Sequence, residues 1–317
     1  MLISLKMKKP YLRKLMEVNN THHSSSFHSF TFLMLFFCTL SSYSSRAQSD
    51  SSVVHRKKLK TFIIASGVGY GAGLVALNHI WYKNTERQSF RFFNDNAEWK
   101  QVDKLGHFYT SFYLSYTTAK ALRGCHVAER KAQMIGTLTG FLMTLPIEIM
   151  DGFSDGYGAS MGDVVANASG PAFFLGQQLT WNEIRIFPKF SFHRTSYAQM
   201  RPELLGDNLI SEIVKDYNGQ TYWLSFDVDK FTSFPKWLNI AFGYGAHRMI
   251  YARDSQNQAI GYHPFRQYYL AIDFDLSAIK TRSKVVKTLL YVANAIKLPA
   301  PAVEFSKKGS KFHAFYF

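Results

Sequence analysis

Residues 148–170 read EIMDGFSDGYGASMGDVVANASG, with the apolar run GTLTGFLMTLPI (136–147) before them and PAFFLG (171–176) after. Glu148, Asp151, Asp155 and Asp163 thus interrupt sequence that is otherwise built for burial. An unpaired buried carboxylate is costly, so each acid needs a partner. Helical spacing sorts them: Glu148 and Asp151 stand at i, i+3, and Asp163 and Asn167 at i, i+4, each pair on one helix side. Between them SDGYG reads as a turn in which Asp155 serves the backbone. The stretch therefore predicts two helices joined by a turn.

Working outward, DKLGH (103–107) supplies a third such pair, Asp103 and His107 at i, i+4. Helices are expected at about 62–82, 103–122, 130–150 and 160–180, all apolar with small residues and none cleanly amphipathic. They predict a bundle of about four helices, buried in itself or embedded in a membrane. Three helices that each carry a polar pair satisfy those pairs most economically by turning them toward one another.

Phe62 to Tyr82 carries no formal charge, follows Lys57, Lys58 and Lys60, and ends in Trp81 and Tyr82. That pattern predicts a transmembrane or membrane-lying helix with an interfacial aromatic anchor. Gly67, Gly69 and Ala72 also satisfy G-x-G-x-x-A, with Glu86 beyond them. A dinucleotide fold needs alternating strands and helices after that motif, and helix after helix follows instead. On the membrane reading Gly67, Gly69, Gly71 and Gly73 form a small-residue surface for the approach of another helix.

From about residue 183 the pattern changes to period two. Leu224, Phe226 and Val228 alternate with Ser225, Asp227 and Asp229, and Leu270, Ile272, Phe274 and Leu276 with Ala271, Asp273 and Asp275. These read as half-buried strands. KFSFH, WLNIAFGYG and the terminal KFHAFYF are further candidates, and SKVVKTLLYVANAIKLP reads as an amphipathic helix stopped by Pro299. About five strands fall short of the eight of a minimal outer-membrane barrel. The fold class expected is α+β: a helical, membrane-embedded bundle followed by a small antiparallel β region with one helix.

The first 47 residues are a signal peptide by pattern: a basic start, the apolar run FTFLMLFFCTL, then SSYSSRAQ with a cut after Ala47. The division expected is leader 1–47, helical membrane-associated domain 48–182 and β-containing region 183–317. Removing the leader lowers the formal charge from +15 to +10, since it holds six basic residues and Glu17. The remaining basic clusters carry no nucleic-acid motif, so the expected partners are membrane lipid and other envelope proteins, with no nucleic acid. Only Cys125 survives cleavage, which leaves no internal disulfide. Cys38 would be a lipidation site only if processing tolerated Phe37 before it, so ordinary export is the simpler reading.

Two readings fit the polar residues. Lys104, His107, Asn167 and the acids can form a hydrogen-bonded network that fixes helix register. Alternatively, His107 with Asp103, Glu148, Asp151 and Asp163 is a candidate catalytic cluster: one imidazole and several carboxylates suit acid–base work or a divalent metal held by His107 and Asp163. No other cofactor is expected. Ser160 reads as a helix N-cap and His126 as a helix-end residue. G-x-S-x-G, H-E-x-x-H and P-loop signatures are absent from the sequence.

On DKLGHFYTSFYLSY, EIMDGFSDGYGASMGDVVANASG, KDYNGQTYWLS and PKWLNIAFGYGA, the chain resembles the YfiM-like family, a domain of unknown function described as predicted periplasmic lipoproteins. The order D-K-x-x-H, acid, D-x-x-x-N is also similar to the VanZ-like membrane proteins, through Asp103, Lys104, His107, Glu148, Asp151, Asp163 and Asn167. The resemblance implies an envelope setting and a helical core, and it implies no reaction. The expectation is an exported, membrane-associated envelope protein with a structural or binding role. The alternative is an envelope enzyme acting on a lipid-linked or cell-wall headgroup.

Overall fold

The computed structural model describes residues 54–82 and 85–317, so the expected leader and Cys38 lie outside the described residues. The helices that carry the site are α1 (Arg56–Tyr82), α2 (Val102–Gly124), α3 (Glu129–Leu142), α4 (Leu145–Gly152) and α5 (Met161–Trp181). The expected 130–150 helix is two helices, because the chain turns at Met143 and Thr144, with Pro146 at the start of α4. Proline lacks the N–H that would continue the preceding ladder and is tolerated in a first turn. Ser160 caps α5 as its spacing predicts, its Oγ accepting from Asp163 N at 3.2 Å. Gly67 to Ala72 lie in the middle of α1, so no phosphate-binding turn exists there.

The close helix contacts are elsewhere than at Gly67 and Gly71 of α1, whose Gly69 is buried. A Cβ on Gly67 or Gly71 would meet nothing within 4 Å, whereas one on Gly140 would lie 2.6 Å from Ser111 O. On Gly136 it would lie 2.6 Å from Ser115 O, and on Gly170 2.3 Å from Phe108 O. Small residues on α3 and α5 thus let both backbones close on α2, and Phe112, Ala119 and Phe174 are buried in the seam. The tight bundle is α2, α3 and α5, and α1 stands against it through scattered contacts. Tyr70 Oη donates to Met143 O at 2.9 Å and Tyr82 Oη to Asp151 Oδ1 at 2.7 Å.

The β region is larger than the small unit expected. Six antiparallel strands pair in sequence order: β1 (Ile186–Phe192), β2 (Gln220–Phe226), β3 (Leu238–His247), β4 (Phe265–Phe274), β5 (Ala300–Ser306) and β6 (Gly309–Tyr316). Two short helices matter to it: α6 (Leu209–Lys215), capped by Asn208, and α7 (Lys284–Ala293), the expected amphipathic helix. The sheet rolls on itself, because Tyr316 Oη at the end of β6 reaches Thr221 Oγ1 on β2 at 3.0 Å and Tyr269 Oη at 2.8 Å.

The alternation is as expected, but its sidedness is inverted. Asp273, Asn239 and Ser225 are fully buried inside the roll, while Leu270, Ile272, Ile240 and Phe242 are exposed outside it. The buried charge is paired: Lys189 Nζ lies 2.7 Å from Asp273 and donates to Phe274 O at 2.9 Å, and Ser225 Oγ donates to Asp273 Oδ2 at 2.6 Å. Tyr109 and Tyr113 of α2 cover the outside of β1 and β2, with Tyr113 Oη donating to Pro188 O at 2.8 Å.

Candidate functional site

Three helices and one loop converge on a cluster. The loop arrives because residues 87–93 are stitched to the turn between α4 and α5: Arg91 N donates to Gly152 O at 3.0 Å, Phe93 N to Ala159 O at 2.9 Å, and Arg91 Nη2 to Asp155 O and Tyr157 O at 2.7 Å each. Asp155 Oδ1 accepts from Glu86 N at 3.1 Å, so Asp155 serves the backbone as its turn context predicts. The stitched segment delivers Asp95, which sequence periodicity did not mark. It then enters α2 through three consecutive left-handed residues, Trp99, Lys100 and Gln101, with φ of 46°, 53° and 64°. Such a run is costly and persists only where neighbours hold it. Trp99 N donates to Ala252 O at 2.8 Å and Gln101 Nε2 to Asn96 O at 2.5 Å.

Lys104 is the cationic centre, with Nζ 2.6 Å from Asp95, 3.0 Å from Asp103 and 2.7 Å from Asp163. Gly162 makes room for it, since a Cβ there would lie 3.0 Å from Lys104 Cε. His107 stands one turn further along α2. Its Nδ1 is 3.0 Å from Asn167 Oδ1, and Asn167 Nδ2 donates to Glu148 Oε1 at 3.2 Å. That direction of donation puts the proton on Nδ1 and turns Nε2 toward Asp163 Oδ1, 3.6 Å away. Glu148 Oε2 accepts from Ser160 N at 3.3 Å, tying α4 to the cap of α5.

The expected residues therefore come together, with two adjustments. Asp103 joins through Lys104, and Asp151 faces away from Glu148 to accept from Tyr82 Oη of α1. Asp95 and Tyr82 are the participants that spacing could not supply, and Ser160, expected as a cap, also donates to Asp95 Oδ1.

The charges shift one another. Burial pushes Asp163 up to about 6, with His107 and Lys104 opposing. Burial also raises Asp103, against the pull of Lys104. For His107 burial works downward, but Asp163, Glu148 and Asp103 outweigh it and the net shift is upward. The cluster thus carries more carboxylate than cation, and it retains protons that the same groups would release in water.

Two triads bring ligand atoms within 4.8 Å of one another: His107, Glu148 and Asp163, and Asp95, Asp103 and Asp163. In the second, Lys104 already supplies the positive charge. The first, with one imidazole nitrogen and two carboxylates, can hold a divalent cation if His107 gives up its second proton.

The cluster closes one end of a cavity of about 840 Å³. Asp95, Asp103, His107, Asp151 and Asp163 face into it, while Lys104, Glu148 and Asn167 stand behind them. Its other walls are mainly apolar and aromatic, with Leu74, Leu77 and Trp81 of α1, Met143 and Ile147 before and in α4, and Phe190 and Tyr222 of the sheet, and they also carry Arg194, Lys215 and Gln220. A mostly apolar chamber with convergent polar groups at one end is the usual form of a small-molecule site.

Fold and site define a helical unit with a polar cluster and an apolar chamber, backed by a rolled antiparallel sheet. Residues 91–176 match the family model described as predicted periplasmic lipoprotein (DUF2279), and the chain carries a domain of that family, whose function is unknown. The match runs from Arg91 through most of α5 and includes every charged residue of the cluster. That description is consistent with an exported, envelope-associated protein. No curated protein and no solved structure matches the chain.

Proposed function

We propose that this envelope protein binds a membrane amphiphile, taking an acyl chain into the cavity and a cationic, amine-bearing headgroup at the acidic end. The observation that carries the reading is the polarity of the chamber: apolar walls from α1, α4 and the sheet, and Asp95, Asp103, His107, Asp151 and Asp163 at one end. An acyl chain gains about 0.8 kcal/mol for each methylene removed from water, and an ammonium group offsets the cluster's excess of carboxylate. α1 and the stretch 129–152 are long and apolar enough to cross a membrane, and α1 shows exposed Ile63, Ile64, Val68 and Val75. In this reading α1 lies in the bilayer and forms the wall through which a lipid enters. The cluster is first a binding and register-fixing network.

The test is mass analysis of lipid extracted from the protein purified in mild detergent. Close to one amine-bearing lipid per chain is expected, and filling the chamber with Leu77→Trp and Ile147→Trp should remove it while the melting temperature holds. Protein that is folded but carries no lipid above the level of a control membrane protein would sink the reading.

A further inference from the structure

We infer that the outer face of β3, β4 and β5 rests against the hydrocarbon of a lipid bilayer, so that the sheet as well as the helical unit is a membrane-contacting element. A soluble antiparallel sheet buries its apolar face and shows its polar one to water. Here both faces are apolar: inside, Trp223, Ala241, Tyr269, Ala271 and Ala302 are buried together with Asp273, Asn239 and the Lys189 ammonium, while Ile240, Phe242, Leu270 and Ile272 are exposed outside. An exposed apolar outer row over an interior that also holds buried polar groups is what strands facing lipid present. These four side chains are between 37% and 54% exposed.

Three further features point to a bilayer as the occupant. β3 and β4 are ten residues each, within the range that crosses a hydrocarbon layer at a tilt. The apolar middle of the face, Ile240, Phe242, Leu270 and Ile272, lies between two aromatic pairs, Tyr244 with Tyr268 at 5.5 Å between centroids and Trp237 stacked on Phe274 at 6.2 Å. Rings of that kind at two levels are how proteins mark the two boundaries of the apolar layer. Beyond the tyrosine end stand the exposed cations Arg266, Lys307 and Lys308, suited to anionic headgroups. β6 leaves an open edge at the end of the sheet order, so the contact is one face against lipid and not a closed barrel.

The inference extends the membrane-associated reading but does not depend on what fills the cavity. It is tested on the full chain with Cys38 and Cys125 replaced by Ser, carrying Leu270→Cys or Phe242→Cys labelled with bimane, in vesicles of phosphatidylethanolamine and phosphatidylglycerol. Lys311→Cys is the water-facing reference, and melting curves verify that each labelled protein is folded. The expected result is quenching at 270 and 242 by acyl-brominated lipid, with access to aqueous iodide falling several-fold on reconstitution and no such change at 311. Iodide access that stays the same in vesicles overturns the inference. So does protection already present in lipid-free, monodisperse protein, which would assign the face to a second copy or to the chain's own N-terminal segment. Lipid co-purification measured on the same variants separates this outcome from failure of the cavity reading.

Discussion

Lys104 Nζ lies 2.7 Å from Asp163 Oδ1, joining the first turn of α2 to the first turn of α5, and the same ammonium holds Asp95 and Asp103. One cation therefore balances carboxylates from a loop and two helices. Lys104→Met should lower stability by about 3 kcal/mol or more, the usual consequence of leaving buried charge unpaired. Thermal melts in detergent read this, and a loss under about 1 kcal/mol would show that the cluster is hydrated and not a structural centre.

The pH dependence has a definite sign. Asp163 is raised from 3.8 to about 6, and His107 is raised above 6.5, so both hold protons in the folded state that the unfolded chain releases. Groups of this kind contribute stability at low pH that is lost as pH rises. Asp163 acts between about pH 4 and 6, and His107 from about 6.5 upward. Chemical denaturation across pH 4 to 8 should show falling stability, flattened at its lower part by Asp163→Asn and at its upper part by His107→Gln. A wild-type curve that rises over that range, or variants that track it, would contradict the assignment.

Glycine substitutions should separate the two helix surfaces. Gly140→Ala puts a Cβ 2.6 Å from Ser111 O and should cost about 1–3 kcal/mol of stability. Gly67→Ala meets nothing within 4 Å and should stabilise α1 by up to about 1 kcal/mol. Equal melting temperatures for the two would mean that α3 does not close on α2 as described.

Inside the sheet, Lys189→Met should be worse than Lys189→Met combined with Asp273→Leu. The single change strands a carboxylate that is fully buried and the double change removes both charges. Folding yield and melting temperature measure this, and a double variant less stable than the single would mean that the pair contributes net stability.

The helices were legible because their apolar runs are long and Ser160 and the SDGYG turn punctuate them, whereas the break before Pro146 was read through as one helix. The meeting of Asp103, His107, Glu148, Asp163 and Asn167 was legible for the same reason: helical spacing fixes which side chains share a side. Asp95 was not, because it sits in a loop where no period applies and reaches the site only through the stitching of 87–93 to 152–159. β5 was missed because APAVEFS contains Pro301 and follows Pro299 closely, features that argue against a strand. The inverted sheet shows a more general limit. Period two tells which residues share a face, as Leu270 and Ile272 do, but not which face is buried. That depended on β6 rolling back until Tyr316 met Thr221.

Trp81 and Trp99 both line the cavity, so a chain-brominated ligand placed in it should quench them on contact. The direct test of amphiphile binding is a fluorescence titration of the detergent-free protein with a brominated alkylammonium and with the alkylcarboxylate of the same chain length. Saturable quenching by the ammonium, with the carboxylate several-fold weaker and the preference lost in Asp163→Asn, is the predicted result. Linear, unsaturated quenching of equal strength by both would contradict it.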